Sequence, residues 1–117
     1  MSTKKKGDRG EIIALEYLTR LKYRILQVNY RLRFGEIDII CFDLTTDQFV
    51  FVEVKSLKNE NRLAITQTIS KTKAHRIKMA AQTWLRKNNL EYSDWRIDFI
   101  GVVLDNSSVV HLQAAIY

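Results

Sequence analysis

At 117 residues, with 46% hydrophobic and 27% charged side chains, the chain has the length and composition of one globular domain that can bury a core without zinc or disulfide support. No run approaches the roughly 20 apolar residues that span a bilayer, and Cys41 is the single cysteine, which excludes an intrachain disulfide framework. The 19 Lys and Arg outnumber the 13 Asp and Glu for a net charge of +6, which suits an anionic partner, nucleic acid first among candidates.

The opening Met1-Ser2-Thr3-Lys4-Lys5-Lys6 is basic, with no apolar run behind it long enough for a secretion signal. A flexible basic tail over 1–6 and a reducing cytoplasmic setting are therefore expected. Asp8 with Glu11 three residues on resembles a capping box, and Ala14, Leu15, Leu18 and Leu21 repeat at helical spacing, which predicts a helix over about 8–22. Glu11 falls on the inward stripe of that helix, so a capping role and a part in an acidic cluster both stand open. Leu26, Val28, Tyr30 and Leu32 then alternate with Gln27, Asn29, Arg31 and Arg33, the pattern of a strand with one buried and one wet face. Gly35 ends it with a turn, and Phe34 beside that turn has two readings, a ring exposed enough to stack or one that fills core. Residues 36–42 and 49–55 are rich in Ile, Val and Phe and read as a hairpin joined through Asp43–Gln48. Residues 56–70 read as a long surface loop.

A second helix over about 70–89 places Ala74, Ile77, Ala81, Trp84 and Leu85 on one face. Trp95–Leu104 and Val109–Leu112 complete the pattern as strands around the turn-prone Asp105–Ser108. With no internal repeat and no proline, the chain reads as a single domain over 1–117. The element order is αβββαββ: an α/β sandwich whose mixed central β-sheet is flanked by helices.

Gly35-Glu36-Ile37-Asp38 and Glu53-Val54-Lys55 set charges inside apolar runs, where desolvating a carboxylate costs several kcal/mol unless a partner or a metal compensates. A symmetric hairpin loop opposes Asp43 to Gln48, and antiparallel register then opposes Asp38 to Glu53 and Glu36 to Lys55 on one face. Two facing acids are tolerable with a shared proton, a cation or a divalent ion, and hard oxygen ligands suit Mg²⁺ or Mn²⁺. The same residues also read as an ion-pair network closing the hairpin, with Glu36 held by Lys55 or a nearby Arg. Arg31, Arg33, Lys71, Lys73 and Arg76, with Lys78 and Lys4–Lys6, are candidate phosphate contacts, though each alone also reads as solvated surface. His75 and His111 lack metal-ligand spacing and read as surface or packing residues, and Asp98 as the partner of an Arg or a backbone amide.

Asp38 followed by Glu53-Val54-Lys55 on neighbouring strands resembles the PD-(D/E)xK nuclease core. Gly35-Glu36-Ile37-Asp38 together with Phe51-Val52-Glu53-Val54-Lys55 is similar to the bacterial YraN-like, Holliday-junction-resolvase-like family. The likeness continues through Gly7–Glu11 with Ala14, Asn29-Tyr30-Arg31, Lys73–Ile77 and Asp98-Phe99. It departs at Ser56-Leu57, where relatives commonly carry an Arg, and in lacking a proline before the acid. The resemblance implies a restriction-endonuclease-like three-layer sandwich and a divalent-metal-dependent DNA endonuclease acting on branched or repair intermediates. In that family pattern Asp38 and Glu53 would hold Mg²⁺ or Mn²⁺, Lys55 would position the attacking water, and Glu11 would stand beside them. DNA is then the partner, with branched DNA among the forms implied, no membrane, and a homodimer by analogy with junction resolvases. Two other classes stay open: a nucleic-acid-binding module that does not cleave, and a protein-interaction adaptor whose acids are structural.

Overall fold

Among the described residues the elements follow as α1 (Ser2–Arg20), β1 (Tyr23–Leu32), β2 (Gly35–Asp43), β3 (Gln48–Leu57), α2 (Lys71–Lys87), β4 (Trp95–Val103) and β5 (Ser108–Ile116). The computed structural model describes residues 2–60 and 69–116, with residues 2–8 by backbone alone. The five strands form one sheet in chain order, antiparallel throughout except for the parallel step from β3 to β4. Parallel neighbours need a crossover, and α2 lies in the one that joins β3 to β4. The expected surface loop begins later than its sequence suggests, because β3 runs on to Leu57, and its residues 61–68 lie outside the described residues.

Each face of the sheet has its own core. On one face Ala14 and Leu18 of α1 pack against Ile39, Cys41, Val50, Val52, Ile100 and Val102. On the other, Ile77, Ala80, Ala81, Trp84 and Leu85 of α2 pack against Ile37, Ile40, Phe51 and Ile97. The period of two along the strands feeds both layers, so β2 and β3 are apolar on either side. Each fully buried aliphatic or aromatic side chain contributes about 1.5–3 kcal/mol. Ser70 caps α2 by accepting the Lys73 N–H at 3.1 Å, and this orients the first turn of the helix toward β3. Burial pushes the Cys41 thiol up to about 12, so it is packing material rather than a nucleophile.

Two expectations from the sequence are corrected here. The first concerns α1, which starts at Ser2, so Asp8 lies inside the helix instead of capping it and the backbone of Lys4–Lys6 is helical. The side chains of these lysines lie outside the described residues. No proline interrupts the segment, and single glycines at 7 and 10 cost only about 1 kcal/mol each. The second concerns β1, where Leu26 and Val28 are 41% and 40% exposed. A bulge between Ile25 and Gln27 and a left-handed Asn29 (φ 53°) break the alternation. Ile25 therefore faces the α1 core, Tyr30 and Leu32 face the α2 core, and the Gln27 side chain accepts the Trp84 indole N–H at 3.0 Å.

The start of β4 carries a buried polar network on the α1 face. Arg96 donates to Asp98 at 2.9 Å, to Asp43 and Tyr23 at 3.0 and 2.9 Å, and to Gln48 and Thr46 at 2.7 and 3.1 Å. Asp98 is fully buried and also accepts the Ala114 N–H at 2.9 Å, which is the Arg and amide pairing expected of it. His111, read from the sequence as a surface or packing residue, is instead part of this network. Its Nε2 lies 2.7 Å from Asp98 and its Nδ1 lies 3.0 Å from the Tyr17 hydroxyl. Burial alone would raise the Asp98 carboxyl, but hydrogen bonds from His111, Arg96 and Ala114 outweigh it and hold it below the usual range. Asp43 is lowered in the same way, against burial, by the Thr45 N–H and Arg96.

Replacing Arg96→Leu leaves two buried carboxylates without their cation, and a loss of about 3–5 kcal/mol is expected at pH 7. In the wild type the native values of Asp43 and Asp98 lie below their unfolded ones, so their stabilisation is full above about pH 4 and is lost as pH falls through the native values. In the variant the Arg96 share of this contribution is gone while the His111, Ala114 and Thr45 hydrogen bonds remain, so less stability is lost between pH 7 and pH 3 than in the wild type. Urea unfolding at both pH values measures this, and a variant matching the wild type at pH 7 would show that the network carries no net stability.

Candidate active site

The β2–β3 hairpin has the register that its symmetric loop predicts, with Asp43 opposite Gln48 and pairing continuing to Ile39 opposite Val52. There the ladder ends, one pair short of Asp38 and Glu53. Val54 lies two residues past Val52, so its N–H points to the same side, toward β2. The Asp38 carboxylate accepts that N–H at 2.7 Å in place of a strand carbonyl. A buried amide without a partner is costly, and the side chain satisfies it where the backbone has withdrawn.

β2 is kinked at the same point. Val28 pairs with Ile39 and Tyr30 with Ile37 in an unchanged register, while Asn29 and Asp38 between them are not paired. Asn29 holds a left-handed φ of 53°, a conformation that Asn tolerates better than most residues. Beyond the kink Ile37 joins the α2 core, although Ile39 faces the α1 core. Asn29 thus shapes the site, and its only trace in the sequence is an Asn inside a strand pattern.

The fork brings the two acids together. Their carboxyls are within hydrogen-bond reach, and Asp38 is pushed up to about 8, by burial first, then by the charge of Glu53 and the hydrogen bond with it. The Val54 N–H pulls the other way, and Glu11 adds a smaller upward push. Asp38 therefore keeps its proton at neutral pH. Glu11 reaches the pair because α1 crosses the end of β3: a Cβ on the preceding Gly10 would stand 3.4 Å from Ser56 Oγ and 4.0 Å from Val54 Cγ1. Glu53 is buried and forms a close ion pair with Lys73 from the first turn of α2. Lys73, expected among the phosphate contacts, is placed here as the cation of Glu53.

Lys55 lies two residues beyond Glu53 on the same face, exposed and without an ion pair among the described residues. The expected pairing of Glu36 with Lys55 does not form, because the strands have already parted. Glu36 instead stands 3.5 Å from Arg31 across β1–β2, an exposed pair of little energetic weight. Arg33 and Arg76 line an open cavity of about 580 Å³ next to Glu53, whereas Lys71 stands exposed at the start of α2. Gly35 is needed where the β1–β2 turn meets α2, since a Cβ there would stand 3.0 Å from the Arg76 carbonyl oxygen. Among the described residues, no three His, Cys, Asp or Glu side chains form a metal-holding group, and no helix is long and apolar enough to cross a membrane.

A family model described as uncharacterised protein family UPF0102 matches residues 10–102, a span that holds Glu11, Asp38, Glu53, Lys55 and Asp98. The chain is 39% identical over 115 residues to a UPF0102 protein of Clostridioides difficile (strain 630), covering 98% of this chain and 99% of that one. It is 36% identical over 110 residues to a UPF0102 protein of Mycobacterium avium (strain 104), covering 92% and 86%. A relative from Mycobacterium tuberculosis (strain ATCC 25618 / H37Rv) is 38% identical over 96 residues, covering 82% of this chain and 75% of its own length.

Because native Asp38 holds its proton to about pH 8 and the unfolded residue releases it near pH 4, the contribution of Asp38 to stability is full below pH 4 and declines as pH rises to about 8. Asp38→Asn keeps an acceptor for the Val54 N–H and removes the repulsion. Its melting temperature at pH 8 is expected to exceed the wild type's by about 5 °C, with little difference at pH 4. Thermal unfolding across that range checks both. Gly35→Ala is expected to cost about 1–3 kcal/mol in urea unfolding, because the turn must back away from Arg76.

Proposed function

Taking as premise that the chain belongs to the UPF0102 family, we propose that it is a divalent-metal-dependent DNA endonuclease of the PD-(D/E)xK, restriction-endonuclease-like kind. The observation that carries this reading is the meeting of Asp38 with Glu53 at the fork of β2 and β3, where burial and the neighbouring carboxylate raise Asp38 to about 8. Such a pair weakens the fold at neutral pH, and strongly perturbed acids of this sort cluster at functional sites. The five-stranded mixed sheet with a helix packed on each face suits the same reading.

The donor set fits a hard divalent cation. Mg²⁺ is usually bound through one or two carboxylates, with waters and substrate phosphates filling its other positions, and Asp38 and Glu53 supply two. When bound, the ion would polarise the scissile phosphate and lower the pKa of its water. The chain's own residues do the rest. Lys73 orients the Glu53 carboxylate through their ion pair, and the Val54 N–H fixes Asp38. The Lys55 ammonium, on the same face, orients the attacking water and stabilises negative charge gathering on the phosphate oxygens. Glu11 adds negative potential beside Asp38. The products are the two ends of a cut phosphodiester backbone. Arg33 and Arg76 next to Glu53, with Lys71 at the helix start, offer the positive surface that holds the strand.

A second reading, a nucleic-acid-binding module that does not cleave, draws on one observation: Lys73 already neutralises Glu53 from within the protein. Incubation with linear, flapped and four-way DNA in Mg²⁺, Mn²⁺ or EDTA separates the two. The nuclease reading expects metal-dependent cleavage that falls at least about 100-fold in Asp38→Asn and in Lys55→Ala. Salt-sensitive binding without cleavage by the wild type would favour the module instead. Cleavage surviving both substitutions would place the activity elsewhere.

A further inference from the structure

The turn between β1 and β2 carries Phe34, and of its two readings from sequence, core-filling or exposed, the second holds, since it is 41% exposed. It borders the cavity of about 580 Å³ that opens beside Glu53, a volume within the roughly 300–1,000 Å³ typical of pockets for small ligands. Leu32, Phe34 and Ile77 give that cavity an apolar side, and Arg33 and Arg76 a cationic one. Its two carboxylates, Glu36 and Glu53, are each in an ion pair, with Arg31 and Lys73. A groove serving phosphate alone gains nothing from an exposed ring, and a site for an apolar ligand gains nothing from two guanidinium groups. A nucleotide has need of both, since its base offers a flat π-face and its phosphate a charge. The wall bearing Phe34 is also held in place, because Gly35 packs directly on the Arg76 backbone and ties the turn to α2.

Resting on the nuclease reading for its setting, we propose that this cavity binds one unstacked nucleotide of a single DNA strand, with its base against Phe34 and its phosphate toward Arg33 and Arg76. Within an intact duplex both faces of a base are covered by its neighbours, so only an unpaired nucleotide can present one. The Glu53 carboxylate lines the same cavity, so the strand carrying that nucleotide runs directly past the acid pair. Single-stranded overhangs, flaps and branch points supply such nucleotides, and the paired nucleotides of a blunt duplex do not.

The test measures binding in EDTA, so that it does not depend on cleavage. Fluorescence anisotropy with a labelled single-stranded 12-mer and a blunt 12-base-pair duplex compares wild type, Phe34→Ala and Phe34→Trp at one salt concentration. The expected result is about a tenfold loss of single-strand affinity in Phe34→Ala, duplex affinity within twofold of wild type, and single-strand binding kept in Phe34→Trp. Equal weakening on both DNAs, or no weakening on either, overturns the nucleotide subsite and leaves the nuclease reading standing. Wild-type protein that binds neither DNA overturns both. Melting temperature is read alongside, and the exposed position predicts an unchanged value for each variant.

Discussion

One backbone amide organises the functional end of this molecule. The Val54 N–H loses its strand partner where β2 leaves β3, and the Asp38 carboxylate takes it. Because that hydrogen bond must be made, Asp38 is drawn into the fork, and Glu53 on the neighbouring residue is then unavoidably close to it. Glu53 in turn requires a cation, which Lys73 provides from the capped first turn of α2. The helix can stand there only because Gly35 lets the β1–β2 turn press against the Arg76 backbone. The acid pair, its lysine and the cavity beside them are thus consequences of where a single ladder stops.

The fold holds a second buried aspartate that shows the opposite use of the same chemistry. Asp98 also accepts an amide at an irregularity, the N–H of Ala114 in a bulged stretch of β5 where φ is 51°. Its neighbours, however, are His111 and Arg96, and with the Ala114 N–H they hold its carboxyl below the usual range. Asp38 faces Glu53 and Glu11 and is raised to about 8. One aspartate is thereby fastened into the scaffold, while the other is held in a charge state that a divalent ion or a proton can change. The difference lies in the sign of the neighbours, not in the amide contact, and it is why the proposed activity is assigned to the Asp38 end of the sheet.

The order of elements and the hairpin register were legible because both follow from short-range rules: apolar periodicity for the strands and helices, and constant pairing sums from the loop at Asp43–Gln48. Asp38, Glu53 and Glu11 could be grouped for that reason. The end of the ladder could not, since strand divergence is set by packing across the sheet, and so of the two partners open to Glu36, Lys55 and a nearby Arg, only the second is realised, in Arg31. The bulge in β1, the left turn at Asn29, the capture of Lys73 by Glu53 and the burial of His111 all depend on partners distant in sequence. Phe34 kept two readings, exposed or core-filling, because a phenylalanine next to a turn has no period to declare which side it faces; it is exposed.

The proposed role of the acid pair makes it a place where a proton is traded for a metal ion, and calorimetry can count that trade. Titrating Mg²⁺ into the protein at pH 7 in Pipes and in Tris, whose ionisation enthalpies differ, yields the protons released per ion bound. Close to one proton is expected from the wild type and none from Asp38→Asn. Binding without proton release, or no binding at all, would contradict the claim that Asp38 and Glu53 form a metal-exchangeable pair.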